Sequence, residues 1–368
     1  MSNSYNFPVD SVLIIGGTGF LGLHLIEKFY HMGDDHPDAQ DLHPNIYVFD
    51  IRPLPEKISN QFDFDPKDIK VIQGDLTSKT DLENAINEAK PNVVVHAASP
   101  MHGASADIYE KVNVQGTRNI IDVCSKSPLV SALVYTSSAG VAFNGNDLHN
   151  ADETWPIPKP AMDAYNETKA IAEQMVLEAN DPSNKFYTIS LRPAGIFGPG
   201  DRQLVPGLRT VAKLGQDRFQ LGDNNNLFDW TYAGNVADAH VLATIALRDV
   251  ERAPKVMGET FFITNDSPSY FWSLARTVWK QDNYPVDERR VIVLNKPLAM
   301  VLAYCSQWVS RLLGKEPGLT PFRVRIVCAT RYHNITKAKT LLGYKPRVDI
   351  EEGINRTLQW MDETESKA

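Results

Sequence analysis

Tyr165 and Lys169 stand four residues apart in Tyr165-Asn166-Glu167-Thr168-Lys169, inside a stretch of helical periodicity from Ala164 to Ala179. On a helix, that spacing places both side chains on one face. A phenol with an ordinary pKa of about 10 is a poor base at neutral pH. An ammonium beside it favours the phenolate and lowers that pKa. The pair is therefore a candidate for proton transfer, with Lys169 tuning Tyr165. Two surface residues on a helix would show the same spacing, so the reading needs a third group. Tyr135-Thr136-Ser137-Ser138-Ala139-Gly140 ends a strand-like run and brings hydroxyls to the carboxyl edge of a sheet. Ser138 is the candidate for orienting the substrate oxygen, with Ser137 the alternative, because sequence does not settle the turn. Asn113, inside an otherwise apolar helical stretch, either holds a water relaying protons to Lys169 or is a satisfied helix asparagine.

A second constellation stands near the start of the chain. Gly16-Gly17-Thr18-Gly19-Phe20-Leu21-Gly22 follows the β-branched run Ser11 to Ile15 and opens a helical pattern, Phe20 to His31. Glycines there permit a tight turn, let the backbone approach a pyrophosphate, and allow close packing of helix on strand. The helix N-terminus then offers free N–H groups and its positive dipole end to the phosphates. This pattern predicts a dinucleotide site. Asp50 closes the second strand, where an acid hydrogen-bonds the adenosine ribose and repels a 2′-phosphate, so NAD is favoured. Arg52, two residues on, softens that discrimination and leaves NADP open. The offset from the glycines exceeds the usual value of about 20 residues. A polar, acidic, loop-like insertion from Gly33 to Asn45 explains the excess. Asp75 and Leu76 after the third strand, and Ala97, Ala98 and Ser99 after the fourth, are further cofactor contacts. Asp75 is alternatively a helix N-cap.

The elements that must position these groups are legible as alternation. Strand candidates are Ser11–Ile15, Asn45–Asp50, Ile69–Gln73, Asn92–Ala97, Ala132–Thr136 and Tyr187–Arg192. Helical patterns separate them at Thr80–Ala89, Ala106–Ser125 and Ala164–Ala179. Such alternation predicts an α/β fold, a doubly wound parallel sheet of Rossmann type. Residues 1–198 form the cofactor domain, with later strands and helices returning from about 228–265; residues 199–368 form mainly a smaller, mixed substrate domain close to a membrane.

Composition narrows the function classes. The 368 residues are 43% hydrophobic and 22% charged, which excludes disordered and fibrous proteins. A net charge of −8 argues against a nucleic-acid partner. Cys124, Cys305 and Cys328 are too scattered for a disulfide framework or a thiolate metal site. His24, His31, His36 and His43 cross a helix and a polar loop without metal-ligand spacing, so no metal is expected. The short polar start, Met1 to Asp10, reads as cytosolic-facing. No window supplies the roughly 18–20 apolar residues of a spanning helix.

Taken together, GGTGFLG at 16–22, NVQGT at 113–117, YTSSAG at 135–140, YNETK at 165–169, LRPAGIFGPGD at 191–201 and LGYKP at 342–346 follow one family's order. The chain resembles the extended short-chain dehydrogenase/reductase family, and within it the 3β-hydroxysteroid dehydrogenase branch, over roughly residues 11–350. ASPMHG at 98–103, HNADETWPIP at 149–158, FDWTYAGNVADAH at 228–240 and KEPGLTPFRV at 315–324 narrow the resemblance to its decarboxylating sterol dehydrogenases. The resemblance implies NAD(P)-dependent oxidation of the 3β-hydroxyl of a 4α-carboxysterol, with loss of the carboxylate, in C4 demethylation of ergosterol biosynthesis. It implies Tyr165 as base, Ser138 holding the oxygen, Lys169 also binding the nicotinamide ribose, and Pro193 and Ile196 lining the nicotinamide pocket. It implies the cytosolic face of the endoplasmic reticulum membrane and other C4-demethylation enzymes as partners.

From Ser310 to Arg347, nine basic residues face Glu316 alone, so this segment carries +8 and the remainder −16. It follows the apolar, aromatic run Val291–Leu313. Such a pairing suits peripheral or monotopic contact with an anionic membrane through residues 291–347, although an ordinary core helix with a solvated basic face would read alike. Arg202 and Lys213 are candidates for holding the sterol carboxylate, and a homo-oligomer stays open. A nucleotide-sugar epimerase or dehydratase would share the fold but want a polar C-terminal pocket. A non-catalytic dinucleotide sensor would have no need of Ser138, Tyr165 and Lys169.

Overall fold

The structure, a computed structural model, describes residues 6–284, 287, 290–314 and 318–366. Met1 to Tyr5 of the N-terminal reading, and Lys315 and Glu316 of the basic segment, lie outside the described residues. The apolar runs of the first half form β1 (Ser11–Ile15), β2 (Asn45–Asp50), β3 (Lys70–Gln73), β4 (Val93–His96) and β5 (Ala132–Thr136). Between and after them run α1 (Phe20–Tyr30), α2 (Met32–Asp35), α3 (Lys79–Ala89), α4 (Ala106–Tyr109), α5 (Thr117–Lys126) and α6 (Ala164–Glu178). Then come β6 (Leu148–Ala151), β7 (Tyr187–Pro193), β8 (Gly195–Phe197), β9 (Phe219–Leu221), β10 (Leu227–Phe228), β11 (Trp230–Tyr232) and β12 (Glu259–Ile263). The last strands are β13 (Ser269–Tyr270), β14 (Ile292–Leu294) and β15 (Arg331–His333). The later helices are α7 (Leu204–Lys213), α8 (Ala233–Arg248), α9 (Ala253–Val256), α10 (Phe271–Gln281), α11 (Lys296–Leu313), α12 (Pro321–Cys328) and α13 (Ile350–Glu365).

Seven parallel strands make the main sheet in the order β12-β7-β5-β4-β1-β2-β3. Its strands are continuously apolar because both faces are covered. Val12 and Ile14 enter one core, with Leu25 of α1 and Ala243 of α8. Leu13 and Ile15 enter the other, with Leu82 of α3, Ile120 of α5 and Val176 of α6. α8 is buried nearly all round, which its alanine-rich sequence allows. Strand order reverses between β1 and β4, and in open α/β sheets ligands bind at that switch, beyond the carboxyl ends of the strands.

Two segments depart from the sequence reading. The Gly33–Asn45 insertion is not an open loop: α2 and a short turn at Pro37–Ala39 fold it back on the body. His36 is buried there, its Nε2 3.1 Å from Asp238 of α8, and Leu42 joins the core beneath it. The stretch expected as one helix from Ala106 to Ser125 is interrupted by a wide turn over Glu110–Gly116, which sets Asn113 inward.

A third core gathers Phe197, Phe228, Trp230, Trp279 and Ile354 among α7, α10 and α13. Beside it a four-stranded sheet runs β13-β10-β15-β6. Arg209 ties the helices together: its guanidinium donates to Asp282 at 2.6 and 2.9 Å and to Asp362 of α13 at 2.9 Å. Replacing Arg209 with Met leaves Asp282 without its partner. Thermal unfolding should show a destabilisation of about 3 kcal/mol, the low end for a broken buried pair because Asp362 is exposed. An unchanged melting temperature would remove this cluster from the stability of the C-terminal unit.

Candidate active site

β1 ends at Ile15, and Gly16 turns the chain at φ +87°, where a side chain would be strained. A Cβ on Gly16 would lie 2.7 Å from the Ala98 backbone, and one on Gly22 2.4 Å from the Gly16 carbonyl. The turn is therefore closed to side chains on the side of β4 and of its own helix. Gly19 caps α1 without a side-chain hydrogen bond, so the first-turn N–H groups face outward unsatisfied. Buried Thr18 Oγ1 also lacks a partner among the described residues. Asp50, at the end of β2, accepts from Thr18 N and from Arg52 N, each at 3.2 Å. Orphaned donors beside a buried carboxylate fit a dinucleotide, its pyrophosphate on the helix end and its ribose at Asp50.

The turn forms one end of a single cavity of about 1360 Å³. A cleft for one small ligand holds about 300–1,000 Å³, so this one has room for two. Its walls include Gly16, Thr18, Gly19, Phe20, Leu21, Gly22, Asp50, Asp75, Leu76, Ala97, Ala98 and Ser99, and then Ser138, Tyr165, Pro193 and Ile196. Gly17, Asn113 and Lys169 sit behind the wall: a Cβ on Gly17 would meet Val48 of β2 at 2.7 Å. Asp75 accepts from Thr77 N, while Ser78, not Asp75, caps α3.

Tyr165 stands in the first turn of α6, whose N-cap Asp163 accepts from Asn166 N at 2.7 Å. Burial pushes the Tyr165 phenol up to about 12, and a hydrogen bond with Ser138 opposes that rise. Ser137 lies on the Glu173 side, its buried Oγ without a close hydrogen-bond partner among the described residues. Lys169 lies one turn below Tyr165 and is buried; its Nζ donates to the Thr136 carbonyl and stands 4.5 Å over the Tyr135 ring. Burial pulls this ammonium down to about 7, against the pull of Glu173. Asn113 does not meet Lys169 directly: it accepts from Ser99 Oγ at 3.0 Å and donates to Thr168 Oγ1 at 3.1 Å.

Three side chains of the site carry no local sequence signal. Glu173 follows Lys169 by one turn and takes a bidentate bond from Arg192, at 2.6 and 2.9 Å. Ser190 at 3.0 Å and Thr260 at 3.2 Å also donate to it. Burial alone would raise this carboxyl, but Arg192 holds it below the usual range. His102 covers Tyr165, ring centroids 4.2 Å apart. Arg331 reaches the cavity between the rings of Phe143 and Phe228, at 4.6 and 4.5 Å. It forms no ion pair among the described residues; burial draws it down to about 10, with Asp229 and Asp163 opposing, so it stays cationic at neutral pH. Of the two cations expected for a substrate carboxylate, Arg202 is on the wall, whereas Lys213 lies off it, 3.7 Å from Glu365.

A family model described as the 3-beta hydroxysteroid dehydrogenase/isomerase family matches residues 13–295. The chain belongs to that family. A relative in Saccharomyces cerevisiae, named sterol-4-alpha-carboxylate 3-dehydrogenase, decarboxylating, is 70% identical over 96% of this chain and 99% of its own length. A human relative, likewise named as a decarboxylating sterol-4-alpha-carboxylate 3-dehydrogenase, is 35% identical over 94% of this chain and 87% of its own. Among solved structures, dTDP-glucose 4,6-dehydratase from Bacillus anthracis in complex with NAD superposes with a TM-score of 0.68 at 19% identity. It covers 96% of this chain and 97% of that one, and shows the shared fold.

Two expectations follow for this hydroxysteroid dehydrogenase family member. Gly16→Val combines a disallowed φ with the clash at Ala98 and should weaken dinucleotide binding about tenfold or more. Undiminished affinity in a calorimetric titration would contradict the cradle. Glu173→Gln removes the charge that keeps Lys169 protonated, so the Lys169 ammonium is lost at lower pH and Tyr165 becomes harder to ionise. The alkaline-activated limb of the kcat/KM profile should move to higher pH; an unmoved limb would reduce Glu173 to a packing role.

Proposed function

We propose that the chain oxidises the 3β-hydroxyl of a 4α-carboxysterol to a ketone with loss of the C4 carboxylate as CO2, a step of C4 demethylation in ergosterol biosynthesis. The observation that carries this reading is the unpaired Arg331 guanidinium inside the apolar end of the cavity that holds Tyr165 and Ser138. Phe228, Trp230, Phe271 and Phe322 make that end a chamber for rings, not for a sugar diphosphate. An alcohol near Tyr165 and an anion near Arg331 are the two polar features such a sterol presents. The names carried by relatives at 70% and 35% identity support the same substrate.

NAD, favoured over NADP by Asp50, supplies the two-electron oxidising power when bound at the glycine turn. Tyr165 removes the hydroxyl proton while Ser138 orients the oxygen, and Lys169 beneath them stabilises the phenolate. Once the ketone stands β to the carboxylate, cleavage of the C4–carboxyl bond leaves its electron pair in an enolate. Tyr165, now a neutral phenol, and Ser138 donate to the enolate oxygen. A proton taken up at C4 completes the ketone. With a sterol against the aromatic wall, its own rings and His102 over Tyr165 would cover the reacting face. The sterol substrate further supports work at the endoplasmic reticulum membrane beside other enzymes of C4 demethylation.

Purified chain incubated with NAD⁺ and a 4α-carboxysterol should produce NADH and CO2 together; neither product would sink the proposal. Tyr165→Phe should lower turnover by about 10²-fold or more while leaving the Kd for NAD unchanged. Arg331→Met should raise KM for the carboxysterol by the value of a charged hydrogen bond, about 1.5–3 kcal/mol, and leave the KM for an uncarboxylated 3β-hydroxysterol in place. Equal effects on both sterols would detach Arg331 from the carboxylate.

A further inference from the structure

α11 presents its small residues to the protein and its large apolar residues to the outside. Ala299 and Ala303 are buried, packed with Val324 of α12. Leu298, Val301, Leu302, Trp308, Val309 and Leu312 recur at spacings of three, four and seven and are all exposed, Trp308 by 69% and Leu312 by 70%. A surface helix ordinarily turns such a stripe inward. An ordinary core helix with a solvated basic face is therefore not what the chain builds. A contiguous apolar face of this kind marks a membrane or a partner.

Charge selects between them. Neither α11 nor α12 contains an acidic residue, whereas Lys296, Arg311, Arg323 and Arg325 lie along the pair. The rest of the basic C-terminal segment is not a continuous cationic surface. Lys337 pairs with Glu259 at 2.6 Å, Lys339 with Asp266 at 2.7 Å and Arg347 with Asp238 at 3.3 Å, while Arg331 points into the cavity. Of the segment's remaining described cations, Arg311, Arg323 and Arg325 lie on this outward-facing apolar pair, while Lys345 stands apart in a cleft with Asp266. No described helix is long and apolar enough to cross a membrane, so insertion would be in-plane.

α12 joins this face to the cavity. Phe322 and Ile326, one turn apart, line the cavity's apolar end, while Val324 between them packs on α11. We propose that α11 lies in the surface of an anionic bilayer with its apolar stripe among the acyl chains, and that α12 is the threshold across which a sterol passes from bilayer to cavity. The second half rests on the sterol reading above; the first half does not.

Vesicle flotation of the full chain tests it, comparing phosphatidylcholine alone with phosphatidylcholine containing phosphatidylserine. The chain should float with the anionic vesicles, less with the neutral ones and less in high salt. W308D/L312D should stay behind while keeping the parent's melting temperature and its turnover of detergent-dispersed carboxysterol. Its turnover of the same sterol embedded in anionic vesicles should fall at least about tenfold. Flotation of W308D/L312D equal to the parent's would overturn the docking, as would a parent that never floats. So would a parent dimer, seen by sedimentation, that the double variant abolishes without any vesicle binding. Intact flotation with no turnover in any medium would support the docking and defeat the enzymatic reading alone.

Discussion

A positive charge is held inside this protein at Lys169, and much of the surrounding structure answers its desolvation. A buried ammonium is costly unless hydrogen-bonded and balanced by charge. The Thr136 carbonyl and the Tyr135 face supply the first contacts, from β5. Glu173, a turn further along α6, supplies the balancing charge, and is itself stabilised by Arg192 of β7 and Thr260 of β12. The helix that carries Tyr165 is thereby bound to three neighbouring strands. His96 on β4, held near 3 by burial and by Lys169, stays neutral and adds no competing cation.

The cavity inherits its two characters from two construction rules. Its dinucleotide end lies at the switch point of a parallel sheet, where backbone N–H groups converge and side chains are kept small. Its apolar end is made by residues from β10, β11, α10 and α12, whose aromatic side chains meet only when the C-terminal segments fold over the sheet. Tyr165 and Ser138 stand between the two. An alcohol carbon placed there can face the cofactor while the rest of the molecule sits in apolar surroundings. Arg331 departs from those surroundings: its guanidinium lies between two rings, which tolerate its charge without neutralising it.

The fold class and much of the cavity wall were legible in sequence because their signals are local. A β-branched run that breaks into glycines and restarts at helical period can hardly be another structure, and i, i+4 spacing holds on any helix. The reading weakened wherever a residue's neighbour is remote in the chain. Gly33–Asn45 looked like a loop because its polar residues dominate, yet His36 finds Asp238 two hundred residues away. The basic C-terminal stretch looked like one charged surface, yet Lys337, Lys339 and Arg347 each meet an acid from another element.

Sequence alone therefore determined the parallel sheet, the glycine turn with Asp50 across from it, and the helical register that stacks Tyr165 over Lys169. The folded arrangement was needed to establish that Ser138 rather than Ser137 meets Tyr165, that Asn113 bridges Ser99 and Thr168, and that Arg331 rather than Lys213 enters the cavity. It also decided that α11 turns its apolar stripe outward. Backbone periodicity follows from each residue's own covalent geometry and nearest neighbours. The partner of a charge, and the side of a helix that meets water, follow from which distant segments come together.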